Sequence, residues 1–180
     1  MSVITVHDKS FGPYLSEEQI QQRVKELAEK INTDYAGKRP LFIAILNGSF
    51  MFAADLFKNL EIPAELCFIK LASYKGLKSS GNVVTSIGLE DDLFDKDVII
   101  VEDIVDTGLT LKHILDTVKK HEPASVNVCS LLFKPLALKT EIGDISYIGF
   151  EIPNEFVVGY GLDYNGLGRN LKDIYRVCNP

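Results

Sequence analysis

Apolar positions along the chain fall into alternating helical and strand patterns. Ile20, Val24, Leu27, Ala28 and Ile31 recur at three- and four-residue spacing, with Glu, Gln, Arg and Lys between them. That spacing predicts an amphipathic helix that packs and does no chemistry. Ser16 and Gln19 form a capping box at its start, Leu15 can staple onto Ile20, and Gly37 is a stop signal. Leu41 to Leu46 is an unbroken apolar run, which predicts a strand buried on both faces. Met51 to Leu60 returns to helical spacing. Ala64 to Ser73 and Val83 to Leu89 predict two strands on either side of a Gly-, Ser- and Lys-rich segment. Val98 to Val101 is four β-branched residues, again a buried strand, expected to end at Glu102 and Asp103. A polar loop follows, then a helix through Lys119 with Leu111, Ile114, Leu115 and Val118 on one face. Val126 to Phe133, Ile145 to Phe150 and Ile174 to Val177 predict further strands.

Strands alternating with helices argue an α/β fold with a mainly parallel, doubly wound sheet and right-handed crossovers. Ligands in such sheets bind outside the carboxyl ends of the strands. Asn47-Gly48, Glu102 to Thr110 and Lys134 all follow strands, so they are expected on one edge. No repeat, low-complexity tract or linker divides residues 1–180, so one domain is expected. The tail from about residue 150, with the N-terminus, is expected to form a small hood over the sheet edge.

Composition narrows the function classes. A chain of 180 residues can bury a sizeable core. A net charge of −6 argues against a nucleic-acid-binding surface. No apolar run reaches the length of a membrane span, and the first residues lack the apolar segment of a signal peptide. Cys67, Cys129 and Cys178 are few, odd in number and widely spaced, which suits free thiols in a reducing cytoplasm, with Cys67 and Cys129 buried. His7, His113 and His121 show no ligand or triad spacing. Asp91 to Asp95 reads as a solvated acidic turn.

The candidate chemistry centres on Glu102-Asp103-Ile104-Val105-Asp106-Thr107-Gly108-Leu109-Thr110. Strand, polar loop and helix start together aim backbone N–H groups and a positive dipole end at an anion. Yet the loop has no Lys or Arg, and three acids fall within five residues. Carboxylates repel a bare polyphosphate. They accept hydrogen bonds from a diol, so the pattern suits a ribose 5-phosphate: Glu102 and Asp103 on the hydroxyls, loop amides and threonines on the phosphate. The bland alternative is an acidic strand end before an ordinary capped helix. Asn47-Gly48-Ser49 is either a second anion site or a plain connection. Lys134 is either aimed at the ligand edge or a solvated strand tip. The segment from Ser73 and Tyr74 to Asn82 is either a lid over the site or a solvated hairpin tip. Asp163, Tyr164, Asn165 and Arg169 form a polar cluster near the end.

The string Val98-Ile-Ile-Val-Glu-Asp-Ile-Val-Asp-Thr-Gly-Leu-Thr110 resembles the phosphoribosyl-pyrophosphate motif of type I phosphoribosyltransferases. With Leu46 to Leu56, Ser73-Tyr74, and Gly149 to Asn165 plus Arg169, the resemblance runs nearly end to end. It narrows to the hypoxanthine (guanine) branch of that family. The resemblance implies transfer of a 5-phosphoribosyl group from phosphoribosyl pyrophosphate to a 6-oxopurine, hypoxanthine and also guanine, in purine salvage. It implies the family's sheet with a small hood and a flexible lid, Mg²⁺ as cofactor, and a homodimer or homotetramer in the cytoplasm. Residue by residue, it gives Glu102 and Asp103 to the ribose, residues 104 to 110 to the phosphate, and Asp106 the role of general base. Lys134 would donate to the 6-oxo group, Phe156 stack on the purine, and Val157 read its edge. Asp163 would hold Mg²⁺ near the purine, with Glu102 and Asp103 as further metal-side carboxylates. Asn47, Gly48 and Arg169 would meet pyrophosphate. Two positions depart from the family pattern: Asn47 and Leu109 stand where many relatives carry a cation, which predicts weaker pyrophosphate and phosphate binding. A xanthine-preferring transferase and a regulatory nucleic-acid-binding protein on the same fold are the alternatives. The acidic balance, Lys134 and Phe156 weigh against the second.

Overall fold

The computed structural model describes residues 2–73, 83–87 and 92–178. The expected helix over the first apolar stripe is α1 (Glu17–Asp34), and its capping box is complete: Ser16 Oγ accepts from Gln19 N–H while Gln19 Oε1 accepts from Ser16 N–H. It stops at Tyr35, and Gly37 sits two residues on with φ of 77°. Next come β3 (Leu41–Leu46), α2 (Phe50–Lys58), β4 (Glu65–Ser73), β5 (Val83–Ile87), β6 (Asp97–Val105), α3 (Leu109–Lys119), β7 (Ser125–Phe133) and β8 (Tyr147–Glu151). Before α1 lie β1 (Ile4–Val6) and β2 (Lys9–Leu15); after β8 lie β9 (Val157–Val158) and β10 (Ile174–Val177).

Among the described residues the main sheet has the order β5-β4-β3-β6-β7-β8. The five strands β4, β3, β6, β7 and β8 run parallel, and β5 is antiparallel on one edge. Side chains alternate between the two faces. Phe42, Ala44, Ile99 and Val101 pack against α1 and α2, whereas Leu41, Ile43, Ile45, Val98 and Ile100 pack against α3. Both faces are therefore covered, which is why β3 and the stretch Val98 to Val101 of β6 carry no polar position. Leu93 is fully buried in the α3-side core, so the acidic turn around it is anchored and only partly solvated. Cys129 is buried, but Cys67 is only partly so.

A second, antiparallel sheet has the order β1-β2-β10-β9, packed around Val6, Phe11, Val158 and Tyr175. The hydrophobic pattern did not reveal β1 and β2. Pro13 breaks the strand pattern of β2, and the structure accommodates it at a register shift between Ile174 and Tyr175 of β10.

Strand order decides where a ligand can sit. From β3 the chain crosses by α2 to β4 on one side; from β6 it crosses by α3 to β7 on the other. The junction of β3 and β6 is the point where strand order reverses, and a crevice opens there at the carboxyl ends.

Candidate active site

The site is built where β3 and β6 part. β3 pairs with β6 only from Val98 to Val101, whereas β7 follows β6 as far as Val105. The strand thus runs past its expected end at Glu102 because β7 continues the ladder, and Glu102 to Val105 face a gap on the β3 side. The turn Asn47-Gly48-Ser49 borders that gap, after a cis peptide between Leu46 and Asn47. A cavity of about 290 Å³ results, lined by Asn47, Gly48, Glu102, Asp103, Asp106 and Thr107, with Gly108, Thr110, Asp163 and Arg169 completing its rim. Ile45, Leu46, Ile104, Val105 and Leu111 supply the apolar wall.

Both carboxyls of the pair on β6 are perturbed. Burial pushes Glu102 well above the usual carboxylate range, and the neighbouring Asp103 charge adds to it. Asp103 is also raised by burial, while the Ile104 N–H, donating to Asp103 Oδ1 at 2.9 Å, opposes the rise. Paired carboxyls of this kind are hydrogen-bond acceptors suited to the hydroxyls of a diol. Gly48 is required beside it: a Cβ there would overlap the Asp103 carboxylate.

Past the strand, Gly108 takes a left-handed conformation (φ 78°) at the N-terminus of α3, and no side chain caps the helix. The first-turn N–H groups of α3 therefore remain open to an anion beside Thr107 and Thr110. Asp106 Oδ2 lies 3.0 Å from Lys134 Nζ, brought in from the end of β7. The Lys134 side chain is almost entirely buried, which a solvated strand tip would not be. Across the cavity Arg169 pairs with Asp163 and donates from Nη1 to Gly161 O at 2.6 Å. Asp163 Oδ2 also accepts from the Gly166 N–H.

Several expected residues stand apart from this cavity. Lys134 joins it through Asp106 and does not line it. Leu109 is exposed and turns its side chain outward, as the first residue of α3 with its apolar face elsewhere. Phe156 is 45% exposed and packs against Phe11 and Tyr164, with Val157 in β9. Tyr74 lies outside the described residues, and Ser73 is described only as the last residue of β4. Among the described residues no group of three His, Cys, Asp or Glu side chains is poised for a metal, so Asp163, Glu102 and Asp103 do not form a ready-made cage. Tyr164, flagged in the sequence only as part of the polar cluster, meets Phe156 edge-on and donates its hydroxyl to Asp8. Its signal lay in the pairing of β2 with β10, which local sequence does not show.

The phosphoribosyl transferase domain family matches residues 12–165, a span that holds both halves of this cavity up to Asp163. The chain belongs to that family. It is 42% identical to the hypoxanthine-guanine phosphoribosyltransferase of Mycobacterium tuberculosis, across 89% of this chain and 82% of that protein. It is 40% identical to the bifunctional protein TilS/HprT of Listeria monocytogenes across 94% of this chain, and it spans 26% of that protein's length. Among solved structures, a hypoxanthine-guanine phosphoribosyltransferase from Bacillus anthracis superposes with a TM-score of 0.85 at 40% identity, covering 93% of this chain and 96% of the other. The type I phosphoribosyltransferase fold expected from the sequence is the fold observed. No described helix of this family member is long and apolar enough to cross a membrane.

Proposed function

We propose that the chain is a purine-salvage enzyme that transfers a 5-phosphoribosyl group from phosphoribosyl pyrophosphate to hypoxanthine, and to guanine. The relatives named for that activity support the substrate class. The observation that carries the reading is the 3.0 Å contact of Lys134 with Asp106 at the mouth of a diol-and-anion cavity. A buried donor beside a carboxylate supports a base that carries a 6-oxo group and an acidic imidazole proton.

In this reading Glu102 and Asp103 hold the ribose hydroxyls, and residues 104 to 110 hold the 5′-phosphate with Thr107, Thr110 and the open N–H groups of α3. Leu109 contributes only backbone. Asn47, Gly48 and Arg169 face the pyrophosphate. The bond from the anomeric carbon to the pyrophosphate oxygen breaks and its electron pair leaves with pyrophosphate. An imidazole nitrogen of the purine forms the new bond to that carbon, and the proton it carried passes to Asp106. Lys134 leaves Asp106 to donate to the 6-oxo group, where adenine would present a donor. Phe156 offers its exposed ring to the purine face. β9 is an edge strand, and Phe156 O accepts from Val177 N–H. By strand alternation the Val157 N–H and C=O point away from β10, free to meet the purine edge.

The donor set fits Mg²⁺. Asp163 and the Glu102–Asp103 pair are hard oxygen donors that line the same cavity, and Mg²⁺ that keeps waters and takes substrate oxygens needs few protein ligands. Bound there, it would neutralise charge building on the departing pyrophosphate. The second sheet serves as a hood over the same single domain, and the working form is a homodimer or homotetramer in the cytoplasm. A reducing compartment suits the thiols of Cys129, which is buried, and Cys178.

The deciding experiment is a kinetic panel of hypoxanthine, guanine, xanthine and adenine with phosphoribosyl pyrophosphate and Mg²⁺. Nucleotide formed from hypoxanthine and guanine, with adenine refused, is the expected outcome. Nucleotide from xanthine in preference would reassign the base, and none from any purine would end the proposal.

A further inference from the structure

Asp55 lies on α2, outside the cavity, yet it collects three donors. Gln21 Nε2 on α1 donates at 2.7 Å, Lys58 Nζ at 2.7 Å, and the Tyr160 hydroxyl at 2.7 Å. Tyr160 is 1% exposed and its burial raises its hydroxyl far above the usual range, so it stays a donor. Its backbone has φ of 48°, between Gly159 and Gly161 at 110° and 96°. A left-handed Tyr between two positive-φ glycines is a costly conformation that the surroundings must hold.

What that segment touches gives the bond its meaning. A Cβ on Gly161 would overlap the carbonyl of Gly48, so the two backbones are in direct apposition. Gly161 also exchanges contacts with Arg169: its N–H donates to Arg169 O at 3.0 Å, and its carbonyl accepts from Arg169 Nη1 at 2.6 Å. Tyr160 N–H donates to Leu171 O at 2.8 Å, which closes the same loop from the other side. The covalent path from Gly48 runs through Ser49 into α2 and reaches Asp55 on its second turn. The Tyr160–Asp55 bond therefore closes a ring: Gly48, α2, Asp55, Tyr160, Gly161 and back to Gly48, with Arg169 hung from Gly161.

We infer that Tyr160 and Asp55 are positioning residues for the pyrophosphate half of the site, setting the distance between the Gly48 turn and Arg169. The inference rests on the proposed pyrophosphate role of those two residues. Among the described residues no hydrogen bond or ion pair joins Asp55, Tyr160 or Gly161 to Lys134, Asp106 or Phe156, so hypoxanthine binding should feel the loss far less than pyrophosphate binding. A role confined to general stability would move both substrates together.

The test compares Tyr160→Phe, which removes one oxygen and keeps the ring, with Asp55→Asn, which keeps an acceptor, and Asp55→Ala, which does not. With Mg²⁺ present, Tyr160→Phe and Asp55→Ala should raise KM for phosphoribosyl pyrophosphate about three- to tenfold, the range one hydrogen bond supplies. KM for hypoxanthine should stay within about twofold, and Asp55→Asn should lie close to the parent protein, on the same scale of effect. Calorimetric titration with inorganic pyrophosphate and Mg²⁺ reads the same loss without turnover, so it decides the matter even if the parent protein forms no nucleotide and the proposed function fails. Thermal melts establish that each variant folds. Unchanged pyrophosphate affinity in Tyr160→Phe, or equal rises in both KM values, would overturn the inference.

Discussion

Lys134 Nζ lies 3.0 Å from Asp106 Oδ2 in the free protein, so the lysine proposed to choose the base rests on the carboxylate proposed to take the base's proton. The contact comes from two separate strand ends, and each residue offsets the other's charge. A buried lysine needs such a partner, because an unpaired ammonium there would lose its hydration without compensation.

Asp106→Asn keeps the shape and removes the basicity. Turnover should fall about 10²- to 10⁴-fold, the usual contribution of a general base. Binding of phosphoribosyl pyrophosphate, measured by calorimetry, should change little. Parallel loss of binding and turnover would contradict the assignment.

Lys134→Ala removes the donor that adenine cannot satisfy. The ratio of kcat/KM for hypoxanthine over adenine should fall by about tenfold or more, each tenfold corresponding to about 1.4 kcal/mol. Competition assays with both bases measure it, and an unchanged ratio would move specificity elsewhere.

Gly48→Ala forces its new methyl group into the Asp103 carboxylate. The variant should raise KM for phosphoribosyl pyrophosphate and lower the melting temperature. Asp103→Ala in the same chain should recover part of the lost stability, since it removes the colliding group, but not the activity. A double-mutant cycle on melting temperatures should show a coupling of about 0.5–3 kcal/mol; additive effects would mean that the backbone, not Asp103, takes up the strain.

Asp97 opens β6 and is held below the usual carboxylate range first by the Ser125 hydroxyl and then by Lys38. A depressed carboxyl stabilises the fold above its unfolded value of 3.8 and loses that contribution as pH falls through the folded value. Asp97→Asn should thus cost about 1 kcal/mol near neutrality, or about 2–4 °C in Tm for a chain of this size. The difference should shrink as pH drops below about 4 and vanish in stronger acid. A gap that is constant across pH would assign the effect to packing.

Much of the fold was legible in the chain because its cause is local. The helix α1 announces itself by stripe, capping box and staple, and β3 by six apolar residues that only a sheet covered on both faces would carry. The strands β1 and β2 were not legible: Pro13 spoils the pattern, and the register shift that rescues it belongs to β10, far along the chain. In the site, Glu102, Asp103, Asp106 and the Thr107–Thr110 loop stood out because acids without cations are odd beside an anion-binding turn. The burial of Lys134 had no local signature, since it depends on Asp106 from another strand, whereas Arg169 pairs with Asp163 inside the polar cluster already visible in the sequence.

By itself, then, the sequence determined the alternation of elements, the Gly-containing turn after β6 and the excess of acid within it, all of which follow from side-chain chemistry at short range. Only the tertiary structure decided that β7 outruns β3 along β6, which exposes Glu102 to Val105 to a cavity and raises the carboxyl pair by burial. It alone brought Lys134 onto Asp106 and Gly161 onto Gly48. Those contacts are set by strand order and register, which no run of neighbouring residues encodes.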